Sequence, residues 1–103
     1  MHNNFNKLIE KTWKKRVIDL YSANTPNGKK ISIMLEEIGF DYKVIKVDIN
    51  NGEQFKDEFK KISPLCKIPV VIDHENKKTI FESGAILIYL AELSGNFYIL
   101  KKD

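Results

Sequence analysis

The sequence has only one cysteine, Cys66, among its 103 residues. A single cysteine cannot form an internal disulfide, and it cannot supply the cysteine pair of a CxxC redox motif. The two histidines, His2 and His74, are far apart in the chain, and no grouping of ligands with metal-site spacing accompanies them. The sequence therefore predicts no disulfide framework, no dithiol centre and no bound metal.

Long apolar runs are also missing, because no stretch approaches the roughly 18 residues that a membrane-spanning helix needs. The N-terminus lacks the apolar core of a secretory signal, so a cytoplasmic location is the expectation. Charge of one sign does not dominate, since seventeen Lys and Arg are interleaved with fourteen Asp and Glu, for a net charge of +3. We therefore expect neither a membrane nor a nucleic acid as a partner.

What is present fits one small globular domain, with 43% hydrophobic and 30% charged residues. Residues 1–16 carry apolar side chains at helical spacing and predict an N-terminal amphipathic extension, either a docking helix or a frayed segment. A mitochondrial presequence is the alternative, which Glu10 and the absence of serine from this stretch weaken. The apolar stripe consists of Phe5, Leu8, Ile9 and Trp13.

A strand followed by a well-marked helix is predicted next. The strand, Val17–Tyr21, is short and rich in large apolar residues. Thr25 is placed to cap the helix, Pro26 fits its first position, and Gly39 fits its C-terminal end. Tyr42–Ile49 contains several β-branched residues and predicts the second strand. The buried face of the helix should consist of Ile31, Met34, Leu35 and Ile38.

The following segment predicts a short helix and a hairpin. Phe55, Phe59 and Ile62 mark the apolar face of the helix. One hairpin strand should run over residues 69–72, since proline is tolerated at the first position of a strand, and the return strand should end at Phe81.

The last helix is predicted to have Ser83 as its capping residue and to run to residue 93. Its residues 85–91 are apolar almost all round, which predicts burial on several sides. The element order is thus β-α-β-α-β-β-α. The first two strands, joined by a helix, should be parallel, and the last two should be antiparallel. A mixed four-stranded sheet with helices on both faces predicts a thioredoxin-like α/β fold.

Three segments, "IDLYSANTPNGKKISIMLEEIGFDYKVIKVDI", "EQFKDEFKKISPLCKIPVVID" and "IFESGAILIYLAE", together resemble the N-terminal domain of glutathione S-transferases. The pairing of "IP" with "ESGAI" is typical of that family, and "TPNG" with "GEQF" narrows the resemblance to the nu-class, YfcG/YghU-like disulfide-bond oxidoreductases. The resemblance covers residues 17–95. It implies that residues 96–103 begin an interdomain linker, beyond which the C-terminal helical domain is absent from this sequence.

Glutathione is the cofactor that the resemblance implies, and its two carboxylates receive candidate partners. Ser83 would bind the γ-glutamyl carboxylate through its hydroxyl and backbone N–H, at a helix N-terminus that favours an anion. Glu82 would assist in recognising that end. Lys67 would contact the glycyl carboxylate in a charge-assisted interaction.

The resemblance also implies contacts to the middle of the glutathione molecule. Ile68–Pro69 matches a cis-proline turn, in which the backbone of the isoleucine would pair with the cysteinyl part of glutathione like a strand edge. Gln54 is a further candidate contact. The alternative for Gln54 is a solvated residue at the start of a helix.

Two residues of the "TPNG" junction, Thr25 and Asn27, are the catalytic residues that the resemblance implies. Their hydroxyl and amide N–H groups would surround the glutathione sulfur, stabilise its thiolate and lower its pKa. Tyr21 and Ser22 lie nearby in sequence, but neither matches this role in the nu-class pattern. The alternative is that Thr25 only caps the helix and that Asn27 is an ordinary early helical residue.

The function implied is that of a glutathione-dependent disulfide-bond oxidoreductase, in which the thiolate of bound glutathione attacks a small-molecule disulfide or reduces a peroxide. Full-length members are expected to form homodimers. Two alternatives stay open: a non-catalytic glutathione- or protein-binding module, and a conventional glutathione-conjugating transferase. Activity of these 103 residues alone is doubtful.

The loop before the proline turn departs from the subgroup pattern, because Leu65 and Cys66 occur where Asn or Gly is usual. If exposed, Cys66 could form a mixed disulfide with glutathione. The alternative is that Cys66 is a small buried hydrophobic residue.

Overall fold

The computed structural model describes residues 17–95. The extension predicted over residues 1–16 and the linker expected over 96–103 lie outside the described residues. Two short 3-10 turns, Ile49–Asn51 and Glu53–Phe55, connect the second strand to the second helix. The strands and helices are, in chain order, Ile18–Ser22 (β1), Pro26–Ile38 (α1), Tyr42–Lys46 (β2), Asp57–Lys60 (α2), Val70–Asp73 (β3), Lys78–Phe81 (β4) and Ser83–Ser94 (α3).

The four strands form one mixed sheet in the order β2-β1-β3-β4. Strands β1 and β2 are parallel, whereas β3 is antiparallel to both β1 and β4. Tyr21 of β1 lies opposite Val70 of β3, and Val70 lies opposite Phe81 of β4. The predicted topology and the thioredoxin-like α/β fold are confirmed.

Helix α1 begins and ends where its capping residues predict. The Thr25 side chain accepts a hydrogen bond from the Gly28 backbone N–H at 3.1 Å, and Pro26 is the first helical residue. Gly39 ends the helix in the left-handed conformation at φ 75°, where its N–H donates to the carbonyls of the last turn. On the predicted buried face, Ile31, Met34 and Leu35 are buried and Ile38 is half-buried.

The core has two parts, one on each face of the sheet. Val70 and Val71 are adjacent in β3 and point to opposite faces, and both are fully buried. Val70 packs with Val47 and Phe59 on the face that α2 covers. The larger part lies between the sheet and helices α1 and α3, and it contains Ile18, Leu20, Ile31, Met34, Leu35, Val71, Ile86, Leu90 and Ala91.

The second strand and the second helix are shorter than predicted. Strand β2 ends at Lys46 rather than Ile49, because the chain turns there into the 3-10 turns. Lys56 is extended, at φ −71° and ψ 147°, and separates the second 3-10 turn from α2. Phe55 therefore leaves the apolar face predicted for the helix and is 61% exposed. Strand β3 begins and ends one residue later than predicted.

Helix α3 differs from its prediction in its cap and in its burial. Glu82, not Ser83, is the capping residue, and Ser83 is the first helical residue. Ile86, Leu90 and Ala91 are buried, but Ile88 is 53% exposed. The expected burial on several sides is therefore wrong for the described residues, because α1 and the sheet cover one side of the helix.

A buried carboxylate ties the β3–β4 hairpin to helix α3. Asp73 is fully buried, and the Tyr89 hydroxyl of α3 donates to its Oδ2 at 2.7 Å. The side-chain amide of Asn76 donates to the same oxygen at 3.0 Å, and the backbone N–H of Glu75 donates to Oδ1 at 3.1 Å. These bonds fix the position of α3 against the sheet.

Candidate functional site

Three loops meet at one end of the sheet. Because Tyr21, Val70 and Phe81 lie side by side on neighbouring strands, β1 and β4 end where β3 begins. Thr25 follows β1, the Ile68–Pro69 bond precedes β3, and Ser83 follows β4. We refer to the three paired strand residues, Tyr21, Val70 and Phe81, as the terminal rung. Candidate residues far apart in sequence are thus carried by loops at the same end of the sheet.

The loop between β1 and α1 is a tight turn that holds Thr25 through both its backbone and its side chain. The Thr25 N–H donates to the Ala23 carbonyl at 2.7 Å, and the Thr25 carbonyl accepts from the Lys29 N–H at 3.0 Å. Thr25 Oγ1 accepts from the Gly28 N–H, which leaves the hydroxyl proton available as a donor. Asn27 is exposed in the first turn of α1. Capping by Thr25 and donation from its hydroxyl are therefore compatible.

The loop before β3 is shaped by a buried serine that the sequence analysis did not single out. Ser63 is fully buried, and its Oγ donates to the Lys67 carbonyl at 3.0 Å and accepts from the Lys67 N–H at 3.1 Å. The predicted cis peptide bond between Ile68 and Pro69 is confirmed. The signal for Ser63 is its position directly before a proline, since serine hydroxyls commonly bond to nearby backbone groups in turns.

Lys67 and Glu82 contact each other directly. Their Nζ and Oε1 atoms are 3.3 Å apart, and the two side chains are 59% and 63% exposed. Glu82 also has a positive φ of 68°, which is unusual for a non-glycine residue and costs about 1–3 kcal/mol. Its carbonyl accepts from the Ile86 N–H at 2.9 Å, so the chain enters α3 at a sharp bend. Ser83 is half-buried at this bend.

Gln54 lies in the second 3-10 turn, and its side-chain oxygen is buried. Within residues 17–95, no group donates a hydrogen bond to Gln54 Oε1. The alternative of a solvated side chain is therefore wrong for this oxygen. An unpaired buried acceptor costs about 1–3 kcal/mol, so a turn of the side chain that brings Oε1 to a donor would be favourable.

Tyr21 and Ser22 are two further hydroxyl-bearing residues, at the end of β1 just before the loop that carries Thr25. The Tyr21 ring packs against Phe59, with ring centroids 5.9 Å apart, along a cleft of about 280 Å³ on the α2 face. Burial, and to a lesser extent the charge of Asp19, raise the pKa of Tyr21 above its usual value. Ser22 is 5% exposed and donates to the Ala23 carbonyl at 3.2 Å. The Ser22 hydroxyl is thus engaged with the backbone of the β1–α1 loop, and the Tyr21 ring with Phe59.

Cys66 lies in the loop before β3 and is half-buried with a free thiol. Its backbone has a φ of 59°, and its N–H donates to the Ser63 carbonyl at 2.8 Å.

Across residues 17–95, no three His, Cys, Asp or Glu side chains are grouped so that they could hold a metal ion. The same part of the chain has no helix long and apolar enough to cross a bilayer.

The family model for the glutathione S-transferase N-terminal domain matches residues 16–92. This chain belongs to the glutathione S-transferase family. The match covers all four strands and nearly all of α3. The resemblance drawn from "TPNG", "IP" and "ESGAI" is thereby confirmed.

Two curated relatives from Escherichia coli K12 carry the name disulfide-bond oxidoreductase. YfcG is 54% identical over 86 residues, an alignment that covers 79% of this chain and 40% of the relative. YghU is 44% identical over 97 residues, covering 86% of this chain and 33% of the relative. This glutathione S-transferase domain thus spans less than half the length of either relative.

A solved structure supplies a comparison with a bound ligand. A glutathione transferase from Pseudomonas putida is 46% identical, with a TM-score of 0.72, and the match covers 84% of this chain and 41% of that one. That protein was crystallised with one glutathione disulfide bound per subunit.

Proposed function

We propose that this domain binds glutathione at the loops beyond the terminal rung. Ser83 and the free N–H groups at the start of α3 would bind the γ-glutamyl carboxylate, with Glu82 near the ammonium group. The backbone of Ile68, before Pro69, would pair with the cysteinyl part. Lys67 would bind the glycyl carboxylate. The observation that carries the proposal is that these contacts and Thr25 share one end of the sheet.

Gln54 supports the same proposal. Its buried Oε1 has no donor within the described residues, and glutathione offers two amide N–H groups and an ammonium group. A turn of the Gln54 side chain would bring this oxygen to a ligand N–H and so remove an unpaired acceptor from the protein.

The reacting sulfur in this proposal belongs to glutathione, which suits a chain with one cysteine. The Thr25 hydroxyl, whose oxygen already accepts a hydrogen bond from the Gly28 N–H, would donate a hydrogen bond to the sulfur. The Asn27 amide would be a second donor. Donors favour the thiolate over the thiol and therefore lower the thiol pKa. The N-terminus of α1 would act in the same direction.

The reaction proposed for a longer protein that contains this domain is thiol–disulfide exchange. The glutathione thiolate attacks one sulfur of a disulfide, the S–S bond breaks, and the other sulfur leaves as a thiolate. A second glutathione then attacks the mixed disulfide, which gives glutathione disulfide and releases the reduced substrate. Organic peroxides are the alternative substrate, which the same glutathione thiolate would reduce.

The experiment that tests the proposal is calorimetric titration of the full 103-residue chain with glutathione disulfide, followed by a glutathione-dependent assay with hydroxyethyl disulfide. Binding with turnover supports the oxidoreductase. Binding without turnover supports a non-catalytic module, and faster reaction with an aryl halide supports a conjugating transferase. Absence of binding overturns the proposal.

A serine pair in α3 provides a matched control for the binding site. Ser83→Ala removes the hydroxyl proposed to bind the carboxylate, and we expect the affinity to fall about tenfold. Ser94→Ala changes the same residue type at the other end of α3, where the hydroxyl donates to the Ala91 carbonyl at 3.1 Å. That variant should keep the affinity of the unsubstituted chain.

Assembly and location are further parts of the proposal. We propose a cytoplasmic protein that forms a homodimer in its longer form. Ile33 of α1 is 61% exposed and Ile88 of α3 is 53% exposed, and such apolar surface favours association. Sedimentation velocity over a range of concentrations checks this, because a chain that stays monomeric throughout would argue against self-association of this domain.

A further inference from the structure

Helix α1 approaches the end of β1 so closely that Gly28 has no room for a side chain. A Cβ added at Gly28 would lie 2.0 Å from Ser22 Oγ, 2.8 Å from the Ala23 carbonyl oxygen and 3.2 Å from Thr25 Oγ1. The first two distances are shorter than any contact that a real Cβ makes. Both Ser22 and Gly28 are buried. The Ser22 hydroxyl can turn about its Cα–Cβ bond, but the Ala23 carbonyl belongs to the backbone, so relief of that contact requires the chain to shift.

Backbone conformation does not explain the glycine. Gly28 lies inside α1, and the glycines with positive φ within residues 17–95 are Gly39, Gly52 and Gly95. Within a helix, glycine is less favourable than alanine. Space, and not φ, is therefore what excludes a side chain at this position.

One of the crowding atoms, the Ala23 carbonyl oxygen, also holds Thr25, and another is the Thr25 hydroxyl oxygen itself. The Ala23 carbonyl accepts from the Thr25 N–H at 2.7 Å and from the Ser22 hydroxyl at 3.2 Å. The Gly28 N–H donates to Thr25 Oγ1 at 3.1 Å. A shift of α1 away from β1 would thus move Gly28, the side-chain partner of Thr25, relative to Ala23, its backbone partner.

We propose that Gly28 is a positioning residue for the glutathione sulfur and that Ser22 is the surface against which it is set. The close approach fixes the start of α1 on β1, and this fixes the direction in which the Thr25 hydroxyl donates. This inference rests on the proposed function. It assigns to Gly28 and Ser22 an effect on the ionisation of the bound thiol, and little effect on the binding of the glutathione carboxylates.

The test compares Gly28→Ala, Ser22→Ala and the double variant in the full chain. Ultraviolet absorbance of the thiolate, followed against pH, gives the thiol pKa of bound glutathione, and calorimetry gives its affinity. In Gly28→Ala we expect the thiol pKa to rise by about one unit, with the affinity changed less than about threefold. Ser32→Ala, on the next turn of α1, should leave both quantities unaltered and serves as the control.

The double variant separates this role from a general loss of structure. Ser22→Ala removes the contact at 2.0 Å but keeps the one at 2.8 Å to the Ala23 carbonyl. The thiol pKa of the double variant should therefore lie between those of the unsubstituted chain and Gly28→Ala. If Gly28→Ala does not fold, the double variant carries the test alone and should still show a raised thiol pKa.

Amide NMR spectra of the ligand-free chain keep this inference distinct from the proposed function. If the unsubstituted chain binds no glutathione, the proposed function fails. The positioning role is then judged by the Thr25 and Asn27 amide signals, which should shift in Gly28→Ala and partly return in the double variant. Unshifted signals, or a thiol pKa that Gly28→Ala leaves unaltered, would overturn the inference.

Discussion

Lys67 Nζ lies 3.3 Å from Glu82 Oε1 and joins the loop before β3 to the start of α3. Both side chains are more than half exposed, so the pair contributes little to the stability of the fold. In the proposed complex, Lys67 would exchange the carboxylate of Glu82 for the glycyl carboxylate of glutathione. In the free protein, the Glu82 carboxylate thus pairs with the lysine that is proposed to bind the glycyl carboxylate of glutathione.

Lys67→Met should separate binding from stability. We expect the glutathione affinity to fall about tenfold, because a charge-assisted contact is lost. The free energy of unfolding should change by less than about 1 kcal/mol, because the pair is exposed. Calorimetry and urea unfolding measure the two quantities, and Lys78→Met, at an exposed lysine of β4, is the control. An unaltered affinity would remove Lys67 from the site.

Asn27→Ala tests the proposed hydrogen bond from the Asn27 amide to the thiolate, because Asn27, unlike Thr25, does not cap α1. Asn27 is exposed and makes no capping contact, so the fold should keep its stability. The thiol pKa of bound glutathione should rise and disulfide reduction should slow by about tenfold, since one donor to the thiolate is lost. Asn24→Ala changes an exposed asparagine of the loop just before α1 and should leave both the thiol pKa and the rate unaltered. Equal behaviour of the two variants would contradict the role of Asn27.

Tyr89→Phe should destabilise the fold, because it removes a donor from the buried carboxylate of Asp73. Hydrogen bonds to charged groups contribute about 1.5–3 kcal/mol, and we expect a loss in that range by urea unfolding. Tyr42→Phe is the matched control, since its hydroxyl donates at 2.6 Å to the exposed carboxylate of Glu36. Its cost should be below about 1 kcal/mol. Equal losses of unfolding free energy in the two variants would show that burial of the acceptor does not determine how much the hydrogen bond contributes to stability.

Tyr42 should make stability depend on pH in the alkaline range. Its hydrogen bond to Glu36, then burial, then the Glu36 charge raise the pKa of Tyr42 in the folded chain above its usual value of about 10. The contribution to stability is therefore complete below about pH 10 and is lost as pH rises through the raised pKa. Urea unfolding across this range should show a smaller decline for Tyr42→Phe. An equal or steeper decline in that variant would contradict the assignment.

Local signals in the sequence predicted α1 well, because its start and end depend on neighbouring residues. Thr25, Pro26 and Gly39 set the helix bounds through contacts within a few positions of themselves. The sequence also predicted the parallel pair of β1 and β2 and the hairpin of β3 and β4, but not the β1–β3 pairing that joins them and sets the strand order. By contrast, the cis Ile68–Pro69 bond came from resemblance to a family, since most X–Pro bonds are trans.

Features that depend on distant residues could not be predicted in the same way. Helical spacing gave Phe55 a place on a buried face, but the extended Lys56 breaks that face. A serine that precedes an apolar run usually caps a helix, yet the positive φ of Glu82 moves the cap back by one residue. The unpaired oxygen of Gln54 depends on the packing around it, which no local pattern encodes.

The terminal rung makes the three site loops mechanically dependent on one another. Val70 is fully buried between Tyr21 and Phe81, so repacking it would displace the ends of β1 and β4 together with the start of β3. A single substitution of Val70 would therefore displace the proposed contacts to the sulfur, the backbone and the carboxylate of the ligand together. The terminal rung therefore fixes the positions of the three loops relative to one another.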